Sequence, residues 1–272
     1  MIDVIIVNFK TEAFVARLLR SMKLHEAENC LNVIVVDNAS LNADIVSLER
    51  EFKDFAKFVK LPKNIGFGRA CNIGLSCCSS PFVAIVNPDI LFSKSVFPML
   101  KNQVLLDEKN SQSYLYGPKL INEIGEVSPS CYKQPTLFHQ LFHALGFGYF
   151  APRLGLVSKM VEFDHLQDRV VDIVMGAFLF GRREVFDRLS GFDEQFFVFF
   201  EDVDLCLRAR DQEVGVKFLA NIALKHSGGS STADNIYLRR SLWLQGRHKF
   251  YQKWYGHFIA SLSVVLVLFV EA

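Results

Sequence analysis

Glu201, Asp202 and Asp204 follow directly on the aromatic run Phe196-Phe197-Val198-Phe199-Phe200. A carboxylate walled by aromatic rings is costly to keep ionised unless local groups stabilise its charge, so acids in such surroundings are candidates for work on a substrate. Asp202 stands at the start of a helical pattern that continues through Val203, Leu205, Cys206, Leu207 and Arg208. There the helix dipole favours its anionic form, which suits a general base at neutral pH. The plain alternative for Asp202 is an N-cap with solvated neighbours. Glu201 is a second catalytic candidate, and Glu201 and Asp204 are candidate contacts to an acceptor.

Other polar clusters lie at the ends of apolar runs. Val4 to Val7, Val33 to Val36 and Val83 to Val86 are short β-branched runs, each followed by polar residues, and Phe14, Leu18, Leu19 and Met22 between them have helical spacing. Alternating strands and helices predict a mostly parallel sheet, whose ligands gather at the carboxyl ends of the strands. Asn8 to Thr11, Asp37 to Ser40 and Asn87 to Asp89 would then converge on one crevice. Asp37 could accept from a nucleobase or from ribose hydroxyls, or could serve in a helix cap. Asp89 could be a turn residue, or a hard oxygen ligand for Mg²⁺ or Mn²⁺ bound to a diphosphate. His226, in the loop-like stretch His226 to Ser231, could join Asp89 on the metal, with amides and hydroxyls of the loop on phosphate. Arg239, Arg240, Arg247 and Lys249 could neutralise phosphate or solvate a helix face.

The segment Lys63 to Gly74 is rich in glycine and asparagine, as expected of a loop that brings backbone amides to a ligand before a helix. It departs from a dinucleotide fingerprint, because Cys71 follows the Gly66-x-Gly68 spacing and the segment comes after the second predicted strand rather than the first. A NAD-dependent oxidoreductase is thus the alternative from another enzyme class.

With 272 residues, half of them hydrophobic and 22% charged, the chain can bury a large core as one compact unit. A net charge of +1 with scattered Lys and Arg gives no basic field for nucleic acid. Six cysteines without a C-x-x-C pair point to reduced thiols. The amino terminus is predicted as a strand rather than a signal peptide, placing the protein inside the cell. Residues 111–168, with prolines and the aromatic stretch Phe138 to Phe150, look like an insertion that shapes a second pocket, or ordinary core. The uncharged stretch Phe258 to Val270 is too short to span a bilayer. It could pack on the core or lie on a membrane surface, with Lys249, Lys253, Trp254 and Tyr255 as interfacial anchors.

Taken in order, Val4 to Thr11, Val35 to Ser40, Asn64 to Gly74, Asn87 to Asp89, Gly176 to Phe180, Gly191 to Phe197, Glu201 to Arg208 and His226 to Ser230 resemble the family 2 inverting glycosyltransferases. The resemblance covers nearly the whole chain and is nearest the bacterial rhamnosyltransferases of O-antigen and other surface polysaccharides. It implies an α/β, Rossmann-like GT-A fold with a mostly parallel sheet flanked by helices and a C-terminal helical segment. Residues 1–110 would form the nucleotide-sugar half, 111–230 the acceptor and catalytic half, and 231–272 the terminal helices, possible membrane contacts. By that resemblance the donor is dTDP-L-rhamnose, with a UDP-hexose as the same-fold alternative, and a catalytically idle nucleotide-sugar-binding subunit is a further one. Asn8, Thr11, Asp37, Asn38, Asn64, Gly66, Arg69 and Asn87 would bind the nucleotide. Asp89 and His226 would hold Mg²⁺ or Mn²⁺, and Asp202 would deprotonate the acceptor. Asn87 departs from the pattern, standing where a D-x-D motif has its first acid. The acceptor would be a saccharide, carried on a polyprenyl diphosphate at the cytoplasmic face of the inner membrane.

Overall fold

The computed structural model describes residues 1–27, 30–40, 42–145, 147, 154, 156, 158–228 and 236–270. Its first half alternates β1 (Ile2–Asn8), α1 (Glu12–His25), β2 (Leu31–Asp37), α2 (Ala43–Phe52), β3 (Ala56–Lys60), α3 (Phe67–Ser76) and β4 (Phe82–Val86). The continuous apolar run of β1 is buried at every position, as a strand covered on both faces requires. Helix α1 turns Val15, Leu18, Leu19 and Met22 onto one face of the sheet. Cys71 and Ala70 of α3 pack on the other.

The chain continues with β5 (Ile90–Leu91), α4 (Phe97–Lys109), β6 (Tyr114–Ile121), β7 (Val127–Ser128), β8 (Cys131–Tyr132) and α5 (Leu137–Ala144). Then come β9 (Arg169–Val170), β10 (Ile173–Val174), β11 (Phe178–Arg182), α6 (Arg183–Arg188), α7 (Glu201–Asp211), β12 (Gly215–His226), α8 (Ile236–Tyr255) and α9 (His257–Val270). The main sheet has the order β3-β2-β1-β4-β11-β6-β12-β5. Strands β1 to β4 are mutually parallel, whereas β11 runs antiparallel to both β4 and β6. The result is a mixed α/β sheet flanked by helices, as the GT-A resemblance implies.

Three expectations change. Strand β3 has no apolar run, since only Ala56 is fully buried, so the Gly66 loop follows a third strand rather than the second. His226 is not in a loop but ends β12, paired with Ile90; residues 229–231 of the stretch expected to be a loop lie outside the described residues. Lys253, Trp254 and Tyr255 are not interfacial anchors, because their polar ends are held inside the protein. Tyr255 donates to the carbonyl of Pro135 at 2.8 Å, and Trp254 Nε1 to Asp204 Oδ1 at 2.9 Å.

Asp204 is consequently a structural acid, not an acceptor contact. It is fully buried, and Arg208 Nε at 2.7 Å and Lys253 Nζ at 2.6 Å complete its cage. Helix α9 buries Ala260 and Ser263 while leaving Phe258, Leu262 and Val265 exposed. Among the described residues no helix is long and apolar enough to cross a membrane.

Removing one partner of a buried ion pair leaves the others uncompensated and costs about 3–5 kcal/mol. Asp204→Ala is expected to lower the urea midpoint by a corresponding amount; a loss below about 1 kcal/mol would count against the anchoring role.

Candidate active site

The carboxyl ends of β1, β2 and β4 open into a cavity of about 1350 Å³. One wall comes from Val7, Lys10, Asn38, Asn64 and Gly66, and another from Asn87, Asp89 and His226. The far side is closed by Tyr132 and Gln140 from the middle of the chain and by Trp243, Arg247 and Tyr251 of α8. The expected second pocket is therefore part of the same space. The aromatic stretch that was to shape it lies partly outside the described residues, at 146 and 148–150.

Glu201 and Asp202 occupy the amino-terminal turn of α7 and line this cavity. The chain reaches them through Phe199 and Phe200, both left-handed at φ 67° and 68°. Two successive bulky residues in that region carry real strain, of order 1–3 kcal/mol each. Asp202 Oδ2 accepts the amide of Gly176 at 2.8 Å and Oδ1 accepts that of Val203 at 2.9 Å. Burial raises the Asp202 pKa, while these amides act against that rise. For Glu201 only its own backbone amide acts against the rise. Burial first, and then the charge of Asp202, push its carboxyl up to about 8, and its Oε2 has no partner among the described residues. The two amides favour ionisation of Asp202 over Glu201, and Glu201 holds the proton at neutral pH.

The loop wall is a side-chain network. Asn38 Nδ2 donates to Asn64 Oδ1 at 2.9 Å, Asn38 Oδ1 accepts the Ile65 amide at 2.9 Å, and Asn64 Oδ1 also accepts the Gly66 amide at 2.9 Å. Gly66, at φ 91°, has room for no side chain: a Cβ there would lie 2.3 Å from the Phe197 carbonyl oxygen. Other expected donor contacts stand behind this wall. Asn8 Nδ2 donates to Asp37 Oδ1 at 2.8 Å, Thr11 Oγ1 donates to Asn8 Oδ1 at 2.9 Å, and all three residues are buried outside the cavity lining. Asn8 and Thr11 are supports rather than ligand contacts, because their polar atoms are used on one another. Arg69 turns away and donates to the Glu194 carbonyl at 3.0 Å.

Asp89 Oδ2 and His226 Nε2 lie 3.4 Å apart, and Asn87 Oδ1 is buried without a partner among the described residues. One carboxylate, one imidazole and one orphaned amide oxygen facing a common space fit a divalent ion whose other positions come from a diphosphate. Among the described residues no three His, Cys, Asp or Glu side chains could hold a metal by themselves.

The glycosyl transferase family 2 model matches residues 3–190. The chain belongs to that family. It is a glycosyltransferase. It is 25% identical over 220 residues to an N-acetylglucosaminyl-diphospho-decaprenol L-rhamnosyltransferase of Mycobacterium tuberculosis, covering 75% of this chain and 69% of that one. It is also 25% identical over 210 residues to the rhamnosyltransferase WbbL of Escherichia coli, covering 76% of each. Among solved structures, S. aureus TarS residues 1–349 superpose with a TM-score of 0.59 at 15% identity, over 98% of this chain and 70% of that one. The same TarS fragment in complex with UDP-GlcNAc gives 0.60 at 17% identity, over 98% and 66%. Transferases of this fold commonly use a divalent metal.

Gly176 was legible only as part of a motif. Its role follows from geometry, since a Cβ on it would meet the Asp202 Cβ at 2.7 Å. Lys10, Tyr132, Trp243 and Tyr251 carried no sequence signal, because they enter the transferase cavity from elements far apart in the chain.

Gly176→Ala is expected to displace the Asp202 carboxylate and cut kcat at least about a hundredfold, with nucleotide affinity retained; turnover within a few-fold of wild type would contradict the assignment. Glu201 binds a proton more tightly folded than unfolded, so the stability it contributes is present below about pH 4.5 and is lost as pH rises through about 8. Glu201→Gln should remove up to about 1.4 kcal/mol per pH unit of that slope. Thermal melts of both proteins from pH 5 to 9 would read it, and an unchanged slope would count against the protonated acid.

Proposed function

We propose that this transferase moves L-rhamnose from dTDP-L-rhamnose, with inversion, onto a saccharide carried on a polyprenyl diphosphate at the cytoplasmic membrane face. The observation that carries the chemistry is Asp202, which lines the cavity and accepts two backbone amides that favour its anionic form. The rhamnosyl assignment is supported by the relatives from M. tuberculosis and E. coli, and the lipid-linked acceptor by the former's name.

In the reaction Asp202 takes the proton of the acceptor hydroxyl as its oxygen bonds to the anomeric carbon. The bond from that carbon to the diphosphate oxygen breaks, and the electron pair leaves with the nucleoside diphosphate. Glu201, protonated beside it, can donate a hydrogen bond to the sugar without adding a second negative charge. Asn38, Asn64 and Gly66 shape the nucleoside wall, which Asp37 braces from behind through Asn8 and Ser40. Asn87, Asp89 and His226 would hold Mg²⁺ or Mn²⁺, which stabilises the charge on the leaving diphosphate. Residues 1–110 would supply the donor side and 111–230 the acceptor side. A UDP-hexose donor is the second reading, supported by the TarS structures with UDP and UDP-GlcNAc.

Calorimetry and turnover with a donor panel test this reading. dTDP is expected to bind more tightly with Mg²⁺ than without, and dTDP-rhamnose to be the preferred donor. Asp89→Ala should weaken the magnesium-assisted binding. Asp202→Asn should retain nucleotide affinity and lose about 10²–10⁴-fold in kcat. Preference for UDP over dTDP would favour the second reading, and normal turnover of Asp202→Asn would remove Asp202 as base.

A further inference from the structure

Arg247 is 7% exposed, lines the same cavity as Asp202, and has no carboxylate partner among the described residues. Its Nη2 donates to Gln140 Oε1 on α5 and, at 2.9 Å, to the Ser263 carbonyl on α9. The guanidinium also lies 5.1 Å from the Trp243 ring centre and 5.9 Å from that of Tyr251. These contacts fix its plane while Nε and Nη1 donate to nothing among the described residues. Burial lowers its pKa to about 10.

A buried cation without a counter-charge is expensive unless a ligand supplies the anion. The free edge of a guanidinium is shaped for phosphate, which it can meet with two parallel N–H donors. None of the contacts of Arg247 is with the Asn87 to Asp89 turn or with His226, where the donor diphosphate is placed. They are with α5, α8 and α9. Leu266 of α9 lines the same cavity, and α5, which holds Arg247 through Gln140, exposes Phe138 and Leu141. An anion received here is thus offered apolar surface for a hydrocarbon chain attached to it.

We propose that Arg247 binds the phosphate of a lipid-diphosphate-linked acceptor, in an anion site separate from the donor diphosphate. This deepens the reading of the cavity as a transferase site and rests on it. Neither Arg247→Gln nor Arg247→Lys should disturb the nucleotide wall.

The test is calorimetric titration of the full chain with geranylgeranyl diphosphate, with and without saturating dTDP and Mg²⁺. Binding is expected in both arms. Arg247→Gln should weaken it at least about tenfold, Arg247→Lys less, and dTDP affinity should stay within about twofold in both variants, which also shows that they are folded. Geranylgeraniol, lacking the phosphates, should bind no better to wild type than to Arg247→Gln. Unchanged prenyl diphosphate binding in Arg247→Gln would overturn the proposal. So would displacement of the prenyl diphosphate by dTDP together with lost dTDP affinity in the variant, which would assign Arg247 to the donor. Failure of wild type to bind dTDP would instead defeat the transferase donor reading, while the prenyl arm still reports on Arg247.

Discussion

Two carboxyl groups placed side by side in a water-poor aromatic pocket cannot both ionise cheaply. The rest of the site follows from how that conflict is settled at Glu201 and Asp202. Asp202 receives the Gly176 and Val203 amides and the positive end of α7. Glu201 receives burial and its neighbour's charge. The unequal treatment of the two carboxyls is therefore set by backbone geometry, not by residue type.

That geometry has to be held from several directions. The strained Phe199 and Phe200 are backed by α8, where a Cβ on Gly246 would lie 2.6 Å from the Phe199 carbonyl oxygen. Asp204, two residues after Asp202, ties α7 to α8 through Trp254 and Lys253. The Phe197 carbonyl accepts the first amide of α3 at 2.7 Å, linking the aromatic run to the Gly66 loop. Strain at the pair is thus carried by contacts to the Gly66 loop on one side and to the terminal helices on the other.

Much of this was legible in the sequence because it was local. Apolar runs marked β1, β2 and β4, and the polar residues ending them do converge. Asp89 and His226, 137 residues apart in the sequence, also meet as expected. What failed depended on tertiary placement. Strand β3 lies at the sheet edge, half exposed, and shows no period. Asp204 looked like a site acid because its type and neighbours match those of Asp202, yet two residues further along the helix, about 200° around it, it points toward Arg208 and Trp254 instead. Asn8 and Thr11 have the right position on the strand end but spend their polar atoms on each other and on Asp37 and Ser40. Arg247 read as one of several scattered cations, and only the packing of α5 and α9 around it shows that it is buried.

The unequal protonation of the pair is the central claim, and infrared difference spectroscopy across a pH titration tests it most directly. A protonated-carboxyl stretching band is expected at pH 7, disappearing as pH rises through about 8 and absent from Glu201→Gln. No such band at pH 7, or one that persists in Glu201→Gln, would contradict the account.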